Sequence, residues 1–164
     1  MNEKIIATRV KMLNIKKTIE PYIKIQGGLI PALHAIQNDA GYLDIQSIKT
    51  IADGFNISTA EVIDVITYYD DFRQAKAGQF IIKVCQAESC QSLGSRSLLN
   101  SLKSHFNLEV DTTAKDKSVT LKEVFCLGNC ALSPSVSIND SVIGRATTDK
   151  VLLHLNDSQD NLDK

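Results

Sequence analysis

The chain contains no Cys-x-x-Cys pair, no Gly-x-Gly-x-x-Gly fingerprint and no phosphate-binding loop. The first absence removes a thioredoxin-type dithiol couple, and the other two leave no recognisable means of binding NAD, flavin or nucleotide. No nucleophile stands with a recognisable base and orienting group, so no substrate-converting active site is expected on this chain alone. A net charge of -1, from 18 basic and 19 acidic residues, offers no basic field for nucleic acid or an anionic membrane. No stretch approaches the roughly 20 apolar residues of a membrane span, so direct membrane insertion is not expected. Internal repeats and low-complexity segments are also absent.

What remains is a 164-residue chain, 43% apolar, which suits one or two small cores. The first 26 residues carry Lys4, Arg9, Lys11, Lys16, Lys17 and Lys24 against Glu3 and Glu20, giving a basic segment expected to be helical. Arg9, Lys11, Lys16 and Lys17 interrupt any apolar run a signal peptide would need. Unexported thiols then imply a reducing compartment, and the expected location is cytoplasmic.

Apolar residues organise the chain into a helical half and a mixed half. Leu29, Ile30, Leu33 and Ile36 recur at helical spacing up to a stop at Gly41, and Ile45, Ile48, Ile51 and Ala52 repeat the pattern before Gly54. Ser58 and Glu61 form a capping-box signature, opening a helix expected to bury Val62, Val65, Ile66 and Tyr69. Residues 73–78 are polar and end on Gly78, which sets the boundary between a helical domain over 1–77 and a second domain over 78–155. In the second domain Phe80 to Val84 reads as a strand ending on Cys85. Leu93, Leu98, Leu99, Leu102 and Phe106 read as a helix lying on a sheet. Val119 to Phe125 and Ser135 to Asn139 are further strands. Val142-Ile143-Gly144 pairs with the latter across an Asn139-Asp140 turn, and Thr148 to Leu155 is the last helix. Residues 156–164 form a polar tail expected to fray. The fold class is α+β, with the β-α-β-β-α order of a thioredoxin-type layer arrangement in the second domain.

The four cysteines stand in two close pairs, Cys85 with Cys90 and Cys126 with Cys130. Each pair begins where a predicted strand ends, so loops leaving the same end of adjacent strands would bring the pairs together. Cys90 falls at the expected start of a helix, where unpaired N–H groups favour thiolate. Gly128 would let the backbone approach inorganic sulfide closely. A plant-type ferredoxin would need another cysteine where this chain has Leu93, and a Rieske centre would need histidines beside the pairs. Gaps of four and three residues favour a two-iron, two-sulfur cluster. A structural zinc site, as part of an interaction module, and disulfides or unrelated thiols stay open beside it.

Other conspicuous residues have quieter readings. His34, His105 and His154 lie among apolar neighbours and read as structural or surface histidines. Asp70 and Asp71 are adjacent and diverge, which makes them poor partners for acid–base work. Glu88, inside the first cysteine gap, reads by default as a solvated loop carboxylate, the alternative being a charge that lowers the potential of a cluster held there. Tyr68, Tyr69 and Phe72 suit either a docking surface or a helix-end core. Residues 45–69 allow a helix-turn-helix, but Glu61, Asp64, Asp70 and Asp71 leave the second helix without the cations that would contact phosphate. A redox-sensing DNA regulator is therefore the weaker alternative, and no nucleic-acid partner is expected.

Cys85-Gln-Ala-Glu-Ser-Cys90 followed by Cys126-Leu-Gly-Asn-Cys130-Ala-Leu-Ser-Pro134 resembles the signature of the thioredoxin-like [2Fe-2S] subunit family that includes the 24 kDa subunit of respiratory NADH dehydrogenase. Gly28-Leu-Ile-Pro-Ala-Leu-His-Ala-Ile-Gln37, Gly41-Tyr42 and Thr67-Tyr-Tyr-Asp-Asp-Phe72 resemble its helical segment, with Tyr68 in place of phenylalanine. Ala87, Gln91-Ser-Leu-Gly94 and Asp71-Phe72-Arg73 are more similar to the gamma subunit of NAD-dependent formate dehydrogenase. The resemblance covers about residues 27–146. It implies an electron-transfer subunit with one [2Fe-2S] cluster held by Cys85, Cys90, Cys126 and Cys130. It also implies docking on a flavin- and NAD-binding subunit, with a molybdopterin formate dehydrogenase subunit in the same complex and a homodimer as a further assembly. A respiratory NADH dehydrogenase or NAD-linked hydrogenase is the alternative setting. Pro134 matches the family's proline after the last cysteine, at the place of the thioredoxin cis-proline.

Overall fold

A computed structural model describes residues 14–162, with side-chain surroundings for 14–159. The chain divides between Lys76 and Ala77 into two compact units.

The first unit is helical among its described residues: α1 over residues 14–19, α2 (Leu29–Ala40), α3 (Ile45–Phe55) and α4 (Thr59–Tyr68). Residues 1–13, half of the basic N-terminal segment, lie outside the described residues. Gly41 ends α2 in the left-handed region, where its N–H donates to the Gln37 carbonyl. Asp44 caps α3 by accepting from the Gln46 N–H at 3.0 Å. Ile15, Ile19, Leu33, Ile36, Leu43, Ile51, Val62, Ile66 and Phe72 close the core.

Three local expectations are corrected. α3 runs through Gly54 and ends at Asn56, which takes the left-handed conformation with its N–H on the Ala52 carbonyl. Gly54 serves close packing instead, since a Cβ there would stand 2.5 Å from Ile19 Cδ1. Ile45 opens α3 and is 73% exposed, so the buried stripe starts at Ile48. Tyr69 follows α4 in extended backbone, which carries its ring off the helical stripe to 43% exposure, and Val65 is only half-buried.

The second unit is built on a five-stranded mixed sheet of order β2-β3-β1-β4-β5. Its strands are β1 (Phe80–Cys85), β2 (Thr112–Thr113), β3 (Val119–Val124), β4 (Val136–Ile138) and β5 (Ser141–Ile143). β1 and β3 are parallel, and the other pairings are antiparallel. Asn139 and Asp140 both have positive φ, the backbone a two-residue hairpin needs between β4 and β5. β2 has only two residues, too few for an alternating pattern to reveal.

The helix expected after Cys90 is two helices, α5 (Glu88–Ser92) and α6 (Ser95–Phe106), separated by Gly94 at φ 92°. Leu93 therefore falls in the break and is exposed, while Leu98, Leu99 and Leu102 cover the sheet. α7 (Thr148–Leu162) outlasts its apolar stripe. Val151 and Leu155 anchor it in the core, and residues 156–162 continue the helix where a frayed tail was expected. The architecture is α+β.

Candidate metal centre

All four cysteines are free thiols in the second unit, with Cys85 at the end of β1 and Cys126 two residues past the end of β3. Cys85 closes β1, and its register partner is Val124, the last residue of β3. Parallel pairing makes both chains leave the ladder on the same side, so the segment holding Cys126 starts beside Cys85. Gln86 N–H donates to the Val124 carbonyl at 2.7 Å, and Cys85 N–H donates to the Ser135 carbonyl at 3.0 Å. Cys90 lies in α5 and is buried, as is Cys85, whereas Cys126 and Cys130 are exposed.

Cross-links between the two loops fix their approach. The backbone N–H groups of Ala87 and, more weakly, of Leu127 between the second pair favour the charged form of the Cys85 sulfur. Gly128, at φ 71°, turns its own N–H onto Cys126 Sγ at 3.3 Å. Ser133 Oγ lies 3.4 Å from Cys90 Sγ and donates to the Cys130 carbonyl at 2.9 Å. Ser89 Oγ, from α5, stands 2.9 Å from Ser133 Oγ. The Ser133–Pro134 peptide is cis.

The two buried thiols differ in acidity. Burial pushes both up, but at Cys90 the hydrogen bonds from Ser133, Cys85 and Ser135 outweigh it and hold that thiol below its ordinary value. At Cys85 burial prevails over the Ala87 and Leu127 N–H groups, and the neighbouring Cys90 raises it further. Cys90 is thus the first of the pair to become thiolate, the form that binds metal.

Sequence reasoning missed several supporting residues. Gln86 is buried, with Nε2 donating to the Ser95 carbonyl at 3.3 Å and its own carbonyl accepting from Gln91 Nε2 at 2.6 Å. Asn129 Nδ2 donates to Ser135 Oγ at 3.2 Å. Polar loop residues carry no periodic signal. Position beside a cysteine was the one available clue.

His34 packs on Phe72 with ring centroids 4.8 Å apart, and His105 packs edge-on against Phe106. His154 lies in α7, where its carbonyl accepts from Ser158. Phe72 belongs to the helical core, while Tyr68 and Tyr69 stack edge-on outside it. Asp70 and Asp71 belong to the same helical unit, and Glu88 is exposed in the first turn of α5.

A family model described as thioredoxin-like [2Fe-2S] ferredoxin matches residues 15–159. The chain belongs to that family. An NADH-quinone oxidoreductase subunit from Buchnera aphidicola is 30% identical to this ferredoxin-family chain over 94% of it and 88% of the relative. The NADP-reducing hydrogenase subunit HndA of Solidesulfovibrio fructosivorans is 28% identical over 81% of this chain and 78% of its own. An NAD+-reducing [NiFe]-hydrogenase structure in the air-oxidised state superposes with a TM-score of 0.69 at 20% identity. That match covers 82% of this chain and 23% of the hydrogenase chain, and it shows the fold.

The cofactor of the family is a [2Fe-2S] cluster, and the donors of this chain fit one. Among the described residues, no three His, Cys, Asp or Glu side chains are gathered about one point for a single ion. The thiols come as two pairs, four soft sulfur donors in all, the number a [2Fe-2S] cluster takes. Among the described residues, no helix is long and apolar enough to cross a membrane.

Proposed function

We propose that this ferredoxin-family chain is the electron-transfer subunit of an NAD-linked oxidoreductase, holding one [2Fe-2S] cluster through Cys85, Cys90, Cys126 and Cys130. The observation that carries this reading is the in-register exit of β1 and β3, which starts the segment holding Cys126 beside Cys85, with Ser133 Oγ bridging Cys90 Sγ and the Cys130 carbonyl. A bound cluster supplies single-electron capacity. The chain supplies thiolates, backbone N–H donors and a buried wall behind Cys85 and Cys90. Exposed Cys126 and Cys130, with Phe125 and Leu132 beside them, leave the other side accessible to a redox partner.

Hydride and substrate chemistry then belong to partner chains in the cytoplasm. One binds flavin and NAD. The finer assignment is the gamma subunit of formate dehydrogenase, supported by Ala87, Gln91-Ser-Leu-Gly94 and Asp71-Phe72-Arg73, and it adds a molybdopterin subunit. A second reading, a subunit of an NADH-quinone oxidoreductase or hydrogenase, is favoured by the names of the relatives.

Anaerobic purification with iron, sulfide and zinc analysis tests the common part. Equal iron and sulfide, with visible absorption that bleaches on dithionite, is the expected result, and zinc alone overturns it. Capture of the native complex separates the settings. Formate-dependent NAD reduction by a molybdopterin-containing assembly supports the first, and quinone- or hydrogen-linked partners support the second.

A further inference from the structure

Ser133 is 7% exposed and sits where three groups compete for its hydroxyl: Cys90 Sγ at 3.4 Å, Ser89 Oγ at 2.9 Å and the Cys130 carbonyl at 2.9 Å. A hydroxyl has one proton to give. While Cys90 is a thiol, its S–H can donate to Ser133 Oγ, and the serine proton rests on the Cys130 carbonyl. A metal-bound thiolate has no proton and only accepts. The same contact then survives only if Ser133 turns its proton from the carbonyl to sulfur. Ser89 can stand in at the vacated place, because its hydroxyl also reaches the Cys130 carbonyl, at 3.4 Å.

We propose that Ser133 is a positioning residue that donates to the Cys90 thiolate and raises the reduction potential of the centre it ligates. The inference rests on the four-cysteine reading above. A hydrogen bond to a ligating sulfur draws charge from the metal centre, and the reduced state, with more charge on sulfur, gains more from it. Burial strengthens the effect, since little water reaches this sulfur to replace the serine. By contrast Cys126 and Cys130 are exposed, so water can contribute to the stabilisation of their sulfurs. The tuning is therefore concentrated on the buried pair.

The test compares wild type, Ser133→Ala and Ser133→Thr as full-length, anaerobically loaded chains, with iron and sulfide measured before potential. Loss of the hydroxyl is expected to lower the potential, by up to about tenfold in the reduced-to-oxidised ratio at fixed poise, or ~59 mV for one electron. Threonine, which keeps the hydroxyl, is expected to restore the wild-type value. Equal potentials in wild type and Ser133→Ala, at equal iron content, overturn the proposal. If Ser133→Ala fails to load, Ser133→Gly, which also lacks the hydroxyl, takes its place, and its resonance Raman spectra are compared with those of the wild type in light and heavy water. A smaller solvent-isotope shift of the iron–thiolate bands in Ser133→Gly supports a serine donor on sulfur, and equal shifts overturn it. A wild type that takes up no iron refutes the cluster reading itself, a result distinct from either outcome for Ser133.

Discussion

Cys85 stands opposite Val124 in the parallel β1–β3 ladder, and the hydrogen bond from Gln86 N–H to the Val124 carbonyl extends that pairing one residue past the cysteine. The ladder thus delivers the first thiol of each pair to the same sheet end. Replacing Cys85 with serine removes a soft donor from the end of β1, and replacing Cys126 removes one from the segment after β3. Each change is expected to abolish or sharply reduce iron and sulfide uptake. An unchanged visible spectrum in either variant would strike that residue from the ligand set.

Gln37 ties the end of α2 to the segment after α4. Its Nε2 donates to the Asp71 carbonyl at 2.8 Å, and its Oε1 accepts from the Arg73 N–H at 2.7 Å. The side chain is buried, so Gln37→Ala leaves two backbone groups without these partners and is expected to cost about 1–3 kcal/mol. Urea unfolding monitored by circular dichroism measures it. An unmoved midpoint counts against the clamp.

Gly78 faces the start of β3 so closely that a Cβ would lie 2.7 Å from the Val119 carbonyl carbon and 2.8 Å from its nitrogen. Its N–H also donates to Thr120 Oγ1 at 2.7 Å. Because the obstacle is backbone, Gly78→Ala is expected to destabilise the chain by roughly 1–3 kcal/mol. Faster amide exchange in β1 and β3 is the signature, and wild-type exchange rates would show that the strands yield at no cost.

Ser58 and Glu61 complete a capping box at α4. The Glu61 N–H donates to Ser58 Oγ at 3.2 Å, and the Ser58 N–H and hydroxyl each donate to the Glu61 carboxylate at 2.8 Å. The backbone N–H of Ser58, then its hydroxyl, hold the Glu61 carboxyl below its ordinary value of 4.5. A folded value below the unfolded one means that the carboxylate's contribution is complete above pH 4.5 and fades as pH falls through the folded value. Glu61→Gln should therefore flatten the acid side of the stability curve, as followed by amide exchange within α4. Ser58→Ala should cost about 1 kcal/mol at neutral pH. A wild-type acid profile in Glu61→Gln would remove the carboxylate from this account.

Local signals made much of the fold legible. The capping box, the Gly41 stop and the Asn139-Asp140 hairpin each rest on a few adjacent residues, and the structure has all three. Misreadings arose where a residue's role depends on distant chain. Gly54 looks like a helix stop but serves the approach of Ile19, and Leu93 fits the spacing of α6 but falls in the break at Gly94.

The sequence by itself determined the donor chemistry, because four thiols in two tight pairs restrict what they can bind whatever surrounds them. Only the tertiary structure decided that Cys85 and Cys90 are buried while Cys126 and Cys130 meet solvent, and that Ser133 reaches across to Cys90. Spacing along a chain fixes which donors are near neighbours. Burial and cross-loop hydrogen bonds arise from the parallel pairing of β1 with β3, which joins residues some 40 positions apart.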